Sequence, residues 1–460
     1  MLYSFFMTLT RFEPGSFREL LAIALPLMIS SLSVMLMFFV DRLLLAHYST
    51  EAMNAAVNAT TYGWAFIGTW MVMAGISEVF VAQYNGAGIH AKIGEPVWQM
   101  IWLSIASFLF FIPAAYWLGN LTYGDHPDFA ISKEYLKWMM LFGPSFPLYS
   151  ALCGFFVGRG KTALVTLLAL AANIVNIVLD WILIFGWKDW IPSLGPTGAA
   201  IATSSSSVFQ CLILFIIFLK PTYQQKFGTG RFLFQLKPFW QCIKIGFPAA
   251  LFVGLEILGF AIYYSMMTKV GEVYITVAGI CQSIVMLFWF FGEGVSKAAT
   301  TVAGNLIGGK KSDLIGNVLK AGVKMHMLFF LVTLVLYYFF ADNLAHQFLP
   351  QGFAGDDDIF RILLLSLLCM VFYILFEGIR LLYLGLLTAA GDTKFLAAAG
   401  SFTVWVLFLL PIYMFVYLGN APVIVAPLLC IAYAFFASAI YAVRFYSGKW
   451  QGIEIIAQTT

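Results

Sequence analysis

Charge is what this sequence lacks most. Asp, Glu, Lys and Arg together supply 10% of the 460 residues, against about 25% in an ordinary soluble domain. So low a fraction excludes a water-soluble globular protein. Cysteine is sparse as well. The six (Cys153, Cys211, Cys242, Cys281, Cys369 and Cys430) stand singly in apolar segments, which offers neither a disulfide framework nor a paired-thiol metal site. Five dispersed histidines show no HxxxH or HExxH spacing, so the helical metal-hydrolase pattern is missing. With no nucleophile–base motif either, an enzymatic role, a bound cofactor and a nucleic-acid partner are not expected.

What fills the chain is apolar. Hydrophobic residues make up 62% and aromatics 17%, and the mean hydropathy is +0.90. Runs of about 20 apolar residues, each long enough to cross a bilayer, recur along the whole length. The first, Leu20 to Val40, is too long for a signal-peptide core and has no small-residue cleavage site after it, so it reads as a retained span. Breaks in hydropathy give twelve spans, near 17–46, 53–82, 95–119, 133–158, 163–186, 196–219, 241–269, 275–303, 317–340, 359–388, 394–417 and 421–446. The expected fold class is an all-α polytopic membrane protein.

One connection differs from the rest. Residues 220–240, "KPTYQQKFGTGRFLFQLKPFW", are basic, broken by Gly and Pro, and aromatic beside lysine, as suits a linker on the membrane surface. They divide the chain into a six-span lobe (1–219) and a second six-span lobe (241–460). With the N-terminus placed inside, 17 of the 25 Lys and Arg residues fall on the cytoplasmic side, 5 fall outside and 3 lie within spans. That asymmetry predicts both termini in the cytoplasm, and the inner membrane of a bacterium is the expected location.

The two lobes read as copies. "ALPLM" around Pro26 matches "GFPAA" around Pro248, and Gln83-x-x-Gly86 matches Asn305-x-x-Gly308, both at an offset of 222. "GFFVGRGKT" (154–162) matches "GLLTAAGDT" (385–393) at an offset of 231. The extra residues fit the acidic loop around Asp356 to Asp358. An even number of spans per copy gives both the same orientation, related by a pseudo-two-fold axis along the membrane normal. Pro26, inside span 1, predicts a bend or local unwinding there.

Ionisable residues inside spans mark ion or substrate pathways. They are Asp41 and Arg42 in span 1, Glu78 in span 2, Asp180 in span 5, Glu256 in span 7, Glu293 and Lys297 in span 8, and Glu377 and Arg380 in span 10. Glu293 and Lys297 are i, i+4 and Glu377 and Arg380 are i, i+3, spacings that permit self-contained pairs. Arg42 and Glu78 lie near span ends, within reach of the interface. Asp180 and Glu256 have no basic residue a turn away and are the leading functional candidates.

The order of motifs over nearly the whole chain resembles the multidrug and toxic compound extrusion family. "ALPLMISSLSVMLMFFVDRLLLAHYS" resembles its first helix, "QYNGAG" and "NLIGGKK" its Gly-rich loops after helices 2 and 8, and "NIVLDWILIFG" its helix 5. "GPTGAAIATSSSSVFQ" resembles the opening of helix 6, and "FEGIRLLYLGLLTAAGDTK" resembles helix 10. The resemblance implies two lobes forming a V around a central cavity, and two cation-handling regions. The first maps to Asp41, Asn176, Asp180 and Thr203, where Asp180 adds an acid that many members replace by Asn. The second maps to Glu256, Tyr373 and Glu377, with Glu377 where the related branch has Asp and with Arg380 close enough to neutralise it.

Asn176 and Asp180 share one helix face. Two carboxylates brought together in a low-dielectric pocket share a proton or hold a cation, and oxygen-only ligands suit Na⁺ or H⁺ better than a transition metal. The expected function is therefore a monomeric, H⁺- or Na⁺-coupled antiporter exporting lipophilic, often cationic, organic compounds by alternating access. The alternative is a flippase of lipid-linked saccharides with the same architecture. Its phosphate-bearing substrates would favour a basic intramembrane cluster, whereas each of the three basic residues within spans here has an acid nearby.

Overall fold

In the computed structural model, residues 9–124, 126–349 and 357–456 are described. They are helical throughout, with no strand among them beyond an isolated bridge between Trp187 and Ile191. Eleven helices are long and apolar enough to cross a membrane, and a bent pair makes twelve. The first six spans are Phe17–Tyr48, Thr50–Gly86, His90–Tyr123, the bent Pro127–Leu141 with Ser145–Val157, Thr162–Phe185 and Pro196–Phe218. The second six are Leu236–Val270, Glu272–Gly308, Ser312–Phe348, Asp357–Ala389, Thr393–Leu418 and Val425–Tyr446. The bounds lie within about five residues of those expected, except that span 4 starts earlier, at Pro127, and span 9 runs on to Phe348; the helices are numbered spans 1 to 12 below. Asp356 and the C-terminal Thr460 lie outside the described residues.

Local chemistry explains where the helices stop. Ser49 ends span 1, its N–H donating to the Leu45 carbonyl, and starts span 2 by accepting the Ala52 N–H on its hydroxyl. One residue thus caps both helices. After span 4, Gly160 (φ +72) donates to the Val157 carbonyl and Lys161 to that of Phe156. After span 10, Gly391 (φ +79) donates to Thr388 and Asp392 to Leu387. These are the same Schellman-type closure. A second matched pair follows spans 2 and 8, with Gly88 (φ +74) and Lys310 (φ +55) in the left-handed position. The internal repeat read from sequence is a repeat of helix-ending geometry.

Span 1 stays helical through Pro26, so the local unwinding expected there does not occur. A proline removes one intrahelical donor, and the neighbouring turns hold the helix together. Thr166 of span 5 donates to the Pro26 carbonyl at 2.6 Å.

The two lobes meet along a seam made by spans 1 and 2 on one side and spans 7 and 8 on the other. They come closest at the ends of spans 2 and 8. Gly86 lies against the backbone of Asn305, and Gly308 against the backbone of Gln83. A Cβ at either glycine would overlap a carbonyl, which is why both positions need glycine. Hydrogen bonds tie the same end together: Gln83 to the Ala389 carbonyl (2.8 Å), Asn85 to Asn305 Oδ1 (2.7 Å), and Asn305 to the Gly158 carbonyl (2.9 Å).

The linker is held to the first lobe. Trp98 and Trp102 of span 3 donate their indole N–H groups to the carbonyls of Thr229 (2.7 Å) and Phe232 (2.8 Å). Arg159 sits in an aromatic cage, 3.7 Å from the Phe155 ring centroid, 4.9 Å from that of Tyr223 and 4.3 Å from that of Phe227. Tyr223 and Phe227 belong to the short linker helix Pro221–Phe227. Beyond it, Phe232, Leu233, Phe234, Leu236 and Trp240 are exposed.

Candidate functional site: a buried carboxyl pair in the first lobe

Span 5 buries a stripe at four-residue spacing, Ala172, Asn176, Asp180 and Ile184. Such spacing lines one helix face, and here that face carries an amide and an acid instead of apolar groups. Both Asn176 and Asp180 are fully buried, and Asp41 of span 1 is 6% exposed. Thr203 of span 6 donates to Asp41 Oδ2 at 3.0 Å. The structure thus brings together all four residues named for this lobe, from three helices. Arg42 beside Asp41 is exposed and does not enter the pocket.

The pocket is short of donors. Asp41 Oδ1, both carboxylate oxygens of Asp180 and both amide atoms of Asn176 are buried without a partner. Two carboxylates in such a setting repel each other and have lost their hydration. The Asp41 and Asp180 carboxyls are near enough to interact, and a proton on one of them would remove the repulsion. A cation coordinated by the oxygens of Asp41, Asn176, Asp180 and Thr203 would answer the same need. Tyr135 of span 4 is buried near both acids. It had no sequence signal, since a tyrosine in an aromatic-rich span looks like any other.

The second lobe is organised differently. Arg380 is 1% exposed, with Nε 2.8 Å from Glu377 Oε2 and Nη2 2.6 Å from Glu377 Oε1. The same Nη2 lies 2.9 Å from Glu256 Oε1, which also accepts from Tyr433 at 3.4 Å. A guanidinium therefore stands between the two acids. Tyr373, one turn before Glu377 on span 10, lines a small cavity with Glu377, Trp289, Phe291 and His326. Tyr433 and His326 were not singled out from sequence. His326 donates from Nδ1 to the Gly322 carbonyl at 2.9 Å and leaves Nε2 buried without a partner.

Glu78 does not reach for the interface. Its Oε1 accepts from Thr301 of span 8 at 2.9 Å, a bond between the lobes. The sequence could not show it, because the partner lies 223 residues away.

Comparison with known proteins identifies this architecture. A family model, MatE, matches the chain twice, over residues 26–182 and 248–414, and the two matches begin at the paired prolines Pro26 and Pro248. The chain belongs to the MatE family. It is a membrane transporter of the multidrug and toxic compound extrusion type, not an enzyme. Among relatives of this MatE chain, a probable multidrug resistance protein NorM of Thermotoga maritima is 25% identical over 452 residues, covering 96% of this chain and 94% of its own. A Bacillus subtilis protein of the same description is 26% identical over 402 residues, covering 85% and 86%. The MatE fold is matched by a MOP superfamily transporter from Pyrococcus furiosus, with TM-score 0.81, 18% identity and coverage of 96% and 98%. A multidrug resistance MATE transporter in an outward-facing conformation matches at TM-score 0.82 and 17% identity, with coverage of 96% and 98%.

Proposed function

We propose that this protein is an H⁺- or Na⁺-coupled antiporter that exports lipophilic, often cationic, organic compounds, and that Asp41 and Asp180 are its coupling pair. The observation that carries this is the cluster of buried, unpartnered oxygens on Asp41, Asn176 and Asp180. Such a site gains most from a proton or a small hard cation and is strained without one. Relatives described as multidrug resistance proteins support the substrate class.

The mechanism follows from charge. Neutralising the pair removes the repulsion that holds spans 1, 5 and 6 apart, and closer packing biases the first lobe toward one of two arrangements. The contacts at Gly86 and Gly308 close the end of the lobes rich in Lys and Arg, which in this reading is the cytoplasmic end. Residues 1–219 and 241–460 act as the two lobes, with 220–240 as the strap between them. Glu256 and Glu377, with Tyr373 nearby, then act on substrate or on a second ion, because Arg380 already neutralises much of their charge. The same pairing argues against a flippase of lipid-linked saccharides. Lys297 and Arg380 both have carboxylate partners. The chain acts as a monomer in the bacterial inner membrane.

Reconstitution into liposomes with separately imposed Na⁺ and pH gradients tests the reading. Efflux of an organic cation driven by one gradient, and lost in Asp180→Asn, is the expected result. Equal activity of Asp180→Asn, with Glu256→Gln inactive, would place coupling in the other lobe.

A further inference from the structure

The space between the lobes carries a second polar group that the carboxyl pair does not explain. Over residues 292–304 span 8 is buried everywhere except at two positions: Lys297, with a side chain 51% exposed, and Glu293, 33% exposed. They are one helical turn apart, with Lys297 Nζ 2.8 Å from Glu293 Oε1.

Their exposure is not to lipid. On either side of the pair span 8 is packed against the first lobe, Gly294 on Met28 and Gly304 on Ala82. The groups around the pair also come from that lobe. Ser31 of span 1 faces Glu293, and Glu78 of span 2 and Cys153 of span 4 are neighbours of Lys297. One turn beyond Lys297, Thr301 meets Glu78 and the lobes close. Lys297 therefore stands on the floor of the opening, just above the seam.

A lysine there is a poor choice for a cleft that takes only monovalent organic cations, since it repels them and offsets the nearby acids. An acid–base–acid series, Glu293, Lys297 and Glu78, matches a ligand that itself carries both signs. Lysine has three donors, and the Glu293 oxygen engages one of them. A half-exposed ion pair of this kind is weak and opens readily for a competing partner. We infer that Glu293 and Lys297 form a recognition subsite for zwitterionic amphiphiles, Lys297 taking the ligand's carboxylate and the flanking acids its ammonium. This rests on the reading of the chain as an exporter of small organic molecules and narrows that substrate class. Specificity of this kind is a difference between two affinities, set as much by rejecting the wrong charge as by holding the right one.

The test is equilibrium binding to purified protein in lipid nanodiscs, read by quenching of tryptophan fluorescence. The probes are an aryl-piperazine carrying a free carboxylate and the same molecule capped as its neutral amide. The wild type is expected to favour the zwitterion by about tenfold, the worth of one well-placed charge pair. Lys297→Gln is expected to erase that preference while holding the amide within about threefold. Lys297→Arg keeps the charge and is expected to keep the preference. If Lys297→Gln does not fold, Glu293→Gln/Lys297→Gln removes the pair without stranding a charge and is expected to lose the preference too. Equal wild-type affinities, or a preference that survives in either neutral variant, would overturn the subsite. Because binding needs no ion gradient, a chain that discriminates but does not export would count against the antiporter reading alone.

Discussion

Gly86 of span 2 lies directly against the backbone of Asn305 in span 8, and its repeat mate Gly308 lies against Gln83. The contact is reciprocal across the pseudo-two-fold axis, and it holds together the end of the lobes that is closed here. A side chain at Gly86 has nowhere to go but into that seam. Gly86→Val is therefore expected to open this end, with an overpacking cost of about 1–3 kcal/mol shifting the balance toward the other arrangement. Distances between spin labels placed on the two lobes at this end check it: they should lengthen.

Asp180→Asn is expected to abolish ion-driven efflux while the protein still reaches the membrane. Its melting temperature should stay the same or rise, because removing one of two crowded buried carboxylates relieves a desolvation cost. Asp41→Asn should behave likewise. A drop in melting temperature with efflux intact would point to a structural role for the pair.

Tyr135→Phe tests whether the hydroxyl near the two acids belongs to the coupling site. Transport should persist, reduced by no more than about tenfold, and its pH dependence should move, as when one member of a shared network is deleted. Initial efflux rates over a pH series supply the measurement.

Glu377→Gln leaves Arg380 buried with Glu256 as its one charged partner. Breaking a buried pair by removing one member costs about 3–5 kcal/mol, so this variant is expected to melt earlier. The folded fraction should nonetheless retain ion-driven efflux, with a milder loss than in Asp180→Asn. Thermal melts alongside flux measurements separate the two effects.

Arg159→Lys is expected to loosen the linker. A planar guanidinium stacks on Phe155, Tyr223 and Phe227 in a way an ammonium does not, and such contacts are worth about 0.5–2 kcal/mol. Hydrogen exchange over residues 221–227 should quicken while the spans are unchanged.

Most of the fold was legible because a bilayer leaves few choices. Where helices must cross apolar lipid, hydropathy marks their ends, and most of the observed spans agree with those marks closely, span 9 running further, to Phe348. The first-lobe site was legible for the same reason, since an acid such as Asp180 in the middle of an apolar run needs a purpose. Partners without charge left no such mark. Tyr433 and Thr301 are ordinary residues in such spans, and only packing shows that they meet Glu256 and Glu78. Glu78 itself was misread as an interfacial acid, because distance from a span end says nothing about which helix faces it. At Pro26 a bend or unwinding was expected, and the surrounding helix keeps the chain wound.

The seam at Gly86 and Gly308 has the form of an isologous interface, the same patch presented by each half to the other as in a symmetric homodimer. Two such halves on separate chains would find each other through the same pair of contacts. The strap between the lobes therefore does not specify how they pair. It sets the effective concentration at which one half meets its counterpart, and frees each half to diverge, so that one has come to hold a carboxyl pair where the other holds an arginine between its acids.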